Sequence, residues 1–149
     1  MAIQTIFRFE RVLELRQRET ENCERRLFQK CQAVGAAAAA CRAVSAERED
    51  LNRAWASGAA VGFRPDEALD FQYSFAACER RAEAARRALE NARKEEAEAR
   101  AILSQALQRQ KSIEKLRSRW QERQRLESNR REQAELDDIA ILRERREAS

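Results

Sequence analysis

Histidine is missing from this 149-residue sequence, proline occurs once and glycine three times. Without histidine, the chain lacks the commonest general base of enzymes. Aromatic residues make up only 6% of the sequence, so large apolar side chains are too sparse for a compact globular core. No apolar run reaches 18 residues, and the sequence therefore contains no candidate membrane-spanning helix.

Cysteine is also scarce, and its spacing excludes two further classes of protein. Cys23, Cys31, Cys41 and Cys78 form no CxxC pair, so neither a zinc site nor a disulfide framework is expected. We interpret them as reduced thiols that pack as small apolar residues. There is no Gly-rich phosphate loop and no HExxH motif, and two packed helices would enclose no pocket. The sequence therefore predicts a protein that is not an enzyme and that binds no cofactor or metal.

Charged residues are abundant instead, at 38% of the chain, with 30 basic and 26 acidic side chains. Together with alanine, leucine and glutamine, this composition is typical of long helices and coiled coils. The two signs of charge are interspersed, which indicates a solvated helix surface rather than a nucleic-acid-binding protein.

Two helices are predicted, over residues 5–57 and 65–145, joined by a loop over residues 58–65. Gly58 is expected to close the first helix in a left-handed conformation, and Pro65 suits the first turn of the second. Gly35 interrupts the first helix. We interpret it as a glycine tolerated where the two helices approach closely, with a hinge as the alternative.

Apolar residues recur at alternating spacings of three and four in both segments, the pattern of a coiled-coil seam. The first seam consists of Ile6, Phe9, Leu13, Arg16, Thr20, Cys23, Leu27, Lys30, Val34, Ala37, Cys41, Val44, Arg48, Leu51 and Trp55. The second consists of Phe71, Phe75, Cys78, Ala82, Ala85, Leu89, Ala92, Glu96, Ala99, Leu103, Ala106, Gln110, Ile113, Arg117 and Trp120. The predicted fold is all-α, a two-helix antiparallel coiled-coil hairpin with an overhanging C-terminal helix, and residues 1–149 form one domain.

A register follows when the two seams are paired so that large residues meet small ones. Residue numbers of facing positions then add to 126, which pairs Lys30 with Glu96 in a polar layer and Trp120 with Ile6. Residues beyond about 121 have no partner in the hairpin. This segment, residues 121–147, is called the tail below, and its exposed apolar residues indicate either fraying or a binding partner.

Two other surfaces stand out. Residues 111–131 are rich in lysine and arginine, which suits either a solvated helix face or docking to an acidic protein surface. Aromatic residues cluster near the loop, where Phe63 and Tyr73 lie off the seam and are expected to be exposed. This cluster serves either loop packing or partner binding.

Both ends of the chain resemble one known family. Residues 7–16, Phe-Arg-Phe-Glu-Arg-Val-Leu-Glu-Leu-Arg, are similar to the FRFxLExLLxLR opening of the flagellar export protein FliJ and its YscO-like injectisome relatives. Residues 130–140, Arg-Arg-Glu-Gln-Ala-Glu-Leu-Asp-Asp-Ile-Ala, resemble the RREQKxLDEIA close of that family, with Ala134 where lysine is common. The length and the position of the loop also agree.

The resemblance implies a non-enzymatic stalk and coupling factor of a type III export apparatus. Its partners would be the hexameric export ATPase, the export-gate membrane protein and export chaperones, and its place the cytoplasm, peripheral to the apparatus and without membrane insertion. The resemblance, the basic stretch of residues 111–131 and the exposed apolar residues of the tail together assign ATPase binding to Phe7, Phe9, Leu13, Arg117, Arg123, Leu126, Arg130, Arg131, Leu136 and Ile139. Export-gate binding is assigned to Trp55, Phe71, Tyr73 and Phe75. The alternatives are an escort for export chaperones and a homo-oligomeric scaffold, neither of which contacts an ATPase.

Overall fold

The computed structural model describes residues 6–149, and two helices account for nearly all of them. Helix α1 spans Glu10–Val61 and helix α2 spans Pro65–Glu147. Within the described residues there is no strand, and the predicted all-α hairpin fold is confirmed. No helix in this part of the chain has an apolar stretch long enough to span a membrane.

Helix α1 begins later and ends later than predicted. The prediction placed its start at Thr5, which lies outside the described residues, and residues 6–9 are not helical. Instead, the amide of Glu10 donates to the carbonyl of Phe7 (3.1 Å), forming a turn that leads into the helix. At the other end α1 continues past residue 57 to Val61.

The connection to α2 is therefore only residues 62–64 rather than residues 58–65. Gly62, and not Gly58, takes the left-handed conformation, with a φ of 95°. Its amide donates to the carbonyl of Gly58 (2.9 Å), satisfying one of the last carbonyls of α1. The assignment of Gly58 as the capping glycine is wrong, because Gly58 lies within the last turn of the helix.

Helix α2 starts where the sequence predicts. Pro65 is its first residue, and the carbonyl of Arg64 accepts the amide of Ala68 (3.1 Å). Asp66 and Glu67 occupy the first turn, where their charge complements the helix dipole. The helix ends at Glu147, two residues beyond the predicted end at 145.

Contacts within the chain group its residues into two compact units. The prediction of a single domain over residues 1–149 stays a prediction. One unit comprises Glu21–Gln105. The other comprises Met1–Thr20 and Ala106–Ser149, of which residues 6–20 and 106–149 are described. In each unit a segment of α1 packs antiparallel against a segment of α2.

The seams predicted from the spacing of apolar residues supply the contact between the helices. The buried members are Leu13, Thr20, Cys78, Ala99 and Ala106. Most other predicted seam positions are half-buried, and the exposed ones are Ile6, Phe9, Arg48 and Trp55. A narrow seam of this kind leaves the outer faces of both helices to solvent.

Ion pairs between the helices place the register close to the predicted one. In the unit formed by Glu21–Gln105, Glu47 pairs with Arg81 (3.0 Å) and Lys30 with Glu95 (2.9 Å). The predicted pair of Lys30 with Glu96 is wrong by one residue. Glu96 is instead held by Arg100 of its own helix (2.7 Å), because an arginine four residues later lies on the same face.

Gly35 does not mark a close approach of the helices. A side chain built at this position would meet nothing within 4 Å, so the interpretation as a packing glycine is wrong. The site is open space beside a continuous helix.

Candidate partner-binding surfaces

The first candidate surface is built from the start of the described chain and the α2 segment beside it. Phe7 is buried, and its ring packs against the rings of Trp120 (5.6 Å between centroids) and Phe9 (5.9 Å). Trp120 was predicted to face Ile6, but Ile6 is exposed and Phe7 takes its place. The reason is that residues 6–9 form a turn rather than a helix, which changes the direction of each side chain.

Two of the residues assigned to ATPase binding are therefore inside this unit. Phe7 and Leu13 are both buried, Leu13 to 1% exposure. Phe9 remains partly exposed, and the guanidinium of Arg8 lies over its ring (5.7 Å to the centroid). Among the three, only Phe9 offers surface to a partner, whereas Phe7 and Leu13 hold the unit together.

Arg117 links the two helices of the same unit. Its Nε lies 3.5 Å from a carboxylate oxygen of Glu10, and both side chains are half-exposed. An ion pair that is open to solvent contributes little to stability. Arg117 is therefore held only weakly by Glu10 and stays half-exposed.

The tail is the second candidate surface. It continues as helix to Glu147, and all its residues are exposed except Gln124, which is half-buried. Its large apolar side chains are 49–60% exposed, and they are Leu126, Leu136, Ile139, Ile141 and Leu142. Helix α1 supplies no seam for this segment, as the register predicts.

Charge on the tail is distributed unevenly. Arg123, Arg130 and Arg131 are exposed and form no ion pair among residues 6–149. Arg125, in contrast, is paired with Glu122 (2.5 Å). Hydrogen bonding from Arg125 lowers the pKa of the Glu122 carboxyl below its ordinary value of 4.5. The unpaired arginines are the ones that can meet an acidic surface without first breaking a contact.

The third candidate surface lies beside the connection of residues 62–64. Trp55 stacks on Phe63 (4.7 Å between ring centroids) and meets Phe71 (5.5 Å) and Phe75 (6.4 Å) edge-on. We call these four residues the aromatic cluster. Phe63 was expected to be exposed, but it is half-buried. Gly58 makes this possible, because a Cβ at that position would collide with the Phe63 ring.

Three of the four residues assigned to export-gate binding thus belong to the aromatic cluster, and Tyr73 does not. Tyr73 is 67% exposed on the outer face of α2, as predicted. Leu69, one turn earlier and 50% exposed, lies on the same face and was not singled out from the sequence. The signal that could have revealed it is an apolar pair spaced four residues apart and off the seam.

The described residues show no constellation with the geometry of an active site. The half-buried carboxylate Glu96 accepts hydrogen bonds from Arg100 (2.7 and 3.0 Å) and contacts the thiol of Cys31 (3.6 Å). The Arg100 hydrogen bond lowers the pKa of Glu96 below 4.5, which keeps it ionised. Within residues 6–149 no three metal-ligating side chains gather, and all four cysteines are free.

Comparison with known proteins gives one clear result. The family described as "Flagellar FliJ protein" matches residues 5–149, essentially the whole chain. No curated protein and no solved structure gives a significant match. The family match extends well beyond the two terminal stretches that carry the resemblance in the sequence. The chain therefore belongs to the flagellar FliJ protein family and is a component of the flagellar export apparatus.

Proposed function

We propose that this chain is a non-enzymatic stalk and coupling factor that binds the hexameric export ATPase. The binding unit would be the one formed by residues 6–20 and 106–149, called the terminal unit below. The observation that carries the proposal is the tail, a continuous helix that α1 leaves uncovered. Several exposed leucine and isoleucine side chains along one unpaired helix are typical of a segment that a partner covers. They are accompanied by arginines that have no partner of their own in the described chain.

The docking would combine apolar contacts with charge. Leu136 and Ile139 supply apolar area on one side of the tail and Leu126 on the other, and Arg123 and Arg130 supply charge toward an acidic ring surface, so the ring would contact the tail on more than one side. Exposed ion pairs contribute only about 0–1 kcal/mol each, so the apolar residues should dominate affinity while the arginines orient the encounter. Phe9 and Arg117 lie in the same unit and would extend this surface.

Coupling to the export gate is the second part of the proposal. Tyr73 and Leu69 present an exposed apolar pair on α2, and the aromatic cluster packs the neighbouring helix segments against each other. A partly exposed Trp55 would add to this surface, because tyrosine and tryptophan are favoured at interfaces. On this proposal the chain works in the cytoplasm, peripheral to the apparatus, and also meets export chaperones.

Removal of residues 121–149 tests the ATPase part of the proposal. The truncated chain should lose stimulation of the export ATPase, since it lacks both the apolar residues and the free arginines. Its circular dichroism should still be that of a helical protein, because no seam residue is removed. A matched control is Phe28→Ser, which removes an exposed apolar side chain outside the terminal unit and should leave stimulation unchanged.

Full stimulation by the truncated chain would contradict the proposal. It would favour the alternative of an escort for export chaperones, which predicts co-purification with a chaperone and no effect on ATP hydrolysis. A loss of stimulation by Phe28→Ser as large as that of the truncation would also contradict a docking site on the tail.

A further inference from the structure

One face of the tail is centred on Ile139, with acidic residues before its apolar residues and basic residues after them. With about 100° between successive residues, the side chains within about 60° of Ile139 come from residues 132–146. Leu136, Ile139 and Leu142 form an apolar centre. Two acidic residues, Glu132 and Glu135, precede it on this face, and two arginines, Arg143 and Arg146, follow it.

These side chains are available for binding. The three apolar side chains are exposed. Within the part of the chain that the structure describes, the four charged side chains form no ion pair. Ile141 and Leu126 are also exposed, but they point to the opposite side of the helix at the same angular spacing.

Along the chain, this face is first acidic, then apolar and then basic. When a second copy of the helix runs in the opposite direction, its basic end therefore faces the acidic end of the first. In an antiparallel pair with a two-fold axis at Ile139, Leu136 faces Leu142, Glu135 faces Arg143, and Glu132 faces Arg146. Each pairing occurs twice, as the symmetry of such an interface requires. In a parallel pair, like charges would face one another along the whole face, which is unfavourable.

We propose that this face binds the same face of a second copy of the chain, forming an antiparallel dimer of tail helices about Ile139. The paired segment is about 22 Å long at about 1.5 Å per residue. With one apolar centre per helix the dimer is weak and depends on protein concentration. The inference does not rest on ATPase binding, but Leu136 and Ile139 belong to both surfaces, so the two states exclude each other.

A charge exchange tests the proposal with the full-length chain. Glu135→Arg and Arg143→Glu each place like charges opposite one another and should raise the dissociation constant of the dimer about tenfold, measured by sedimentation equilibrium. The double variant E135R/R143E exchanges both members of each pair and should restore the affinity of the unchanged chain. Because an acidic partner of another kind would not exchange its own charges, this recovery is specific to self-pairing.

Three results would overturn the proposal. The unchanged chain could remain monomeric at all concentrations, the single variants could dimerise as tightly as the unchanged chain, or the double variant could stay as weak as the single ones. If the chain is monomeric and its Ile139 face becomes inaccessible to solvent only when the ATPase is added, that face binds the ATPase rather than a second copy.

A crosslinking measurement checks the position of the axis. In a chain whose four cysteines are replaced by alanine, Ile139→Cys should form an intermolecular disulfide under mild oxidation, since the axis brings the two thiols together. Ile141→Cys is the matched control on the opposite face and should not. Equal crosslinking at both positions, or none at Ile139, would contradict the antiparallel arrangement.

Discussion

Single glycines determine how α1 ends, and they do so in different ways. Gly62 has a φ of 95°, a conformation that costs other residues about 1–2 kcal/mol. Gly58 lies in the helix, but its missing side chain leaves room for the Phe63 ring. Gly35 does neither, because the space around it is open. The three glycines of the chain should therefore respond differently to the same substitution.

We predict that Gly62→Ala lowers the free energy of unfolding by about 1 kcal/mol, since alanine is strained in the left-handed conformation. The matched control is Gly35→Ala, which should raise that free energy by up to about 1 kcal/mol through helix propensity alone. Urea unfolding followed by circular dichroism measures both. A stabilised Gly62→Ala variant would contradict the role of Gly62 as the helix cap.

Glu96 provides a second prediction at the level of single residues. The hydrogen bonds from Arg100 lower its pKa below 4.5 in the folded chain. Its contribution to stability is therefore fully present above pH 4.5 and is lost as the pH falls through the lowered pKa. In Glu96→Gln this titration is absent.

The difference in urea midpoint between the unchanged chain and Glu96→Gln should consequently shrink as the pH falls below 4.5. Glu98→Gln is a suitable control, since Glu98 is exposed on the same helix and forms no ion pair in the described chain. A midpoint difference for Glu96→Gln that stays constant across this range would show that the Arg100 contact contributes nothing.

At the scale of the helices, the seam carries the packing. Leu13 is 1% exposed, whereas Leu15 on the same helix is 54% exposed. We predict that Leu13→Ala lowers the free energy of unfolding by about 2–5 kcal/mol, because it leaves a cavity in the seam. Leu15→Ala, the matched control, should change it by no more than about 0.5 kcal/mol. Similar losses for both variants would mean that the seam is not the main source of stability.

The face of each helix that contacts the other helix could be predicted from the sequence. Apolar residues spaced alternately three and four apart lie on the same side of a helix. Leu13, Thr20 and Ala106 are buried where this spacing places them. Individual side-chain partners could not be predicted in the same way. Lys30 reaches Glu95 rather than Glu96, which is held by Arg100 of its own helix, and the spacing of apolar residues does not determine such contacts between charged side chains.

The ends of α1 were the least predictable part of the fold. Both Gly58 and Gly62 suit a helix terminus, and the sequence does not distinguish the glycine with positive φ, Gly62, from the one that makes room for the Phe63 ring, Gly58. For the candidate surfaces, exposure of the tail followed from the length of α1. The family resemblance, however, does not indicate which of the matching residues are buried. Phe7 and Leu13 are buried in the structure and are not available to a partner.

At the scale of the whole molecule, the two proposed states of the tail compete. If Leu136 and Ile139 meet either a second copy or the ATPase, then dimerisation lowers the fraction of monomeric chain that can bind the ATPase, and more total chain is needed for half-maximal stimulation. Arg143→Glu, which weakens the dimer, should therefore reach half-maximal stimulation at a lower total chain concentration than the unchanged chain in a titration of ATP hydrolysis. The same half-maximal concentration for both chains would contradict competition through the tail.

The three-residue connection between α1 and α2 also dictates the order in which the seam can assemble. Contacts near it join residues close in sequence, whereas Glu47 and Arg81 are 34 residues apart and Lys30 and Glu95 are 65 apart. The entropic cost of closing a loop grows with that separation, so the contacts of the aromatic cluster should form first. Each contact that forms then shortens the unpaired chain that the next contact has to close. Pairing should therefore proceed from the connection toward the two ends of the chain, and the contact of Phe7 with Trp120, which borders the tail, should be the last to form.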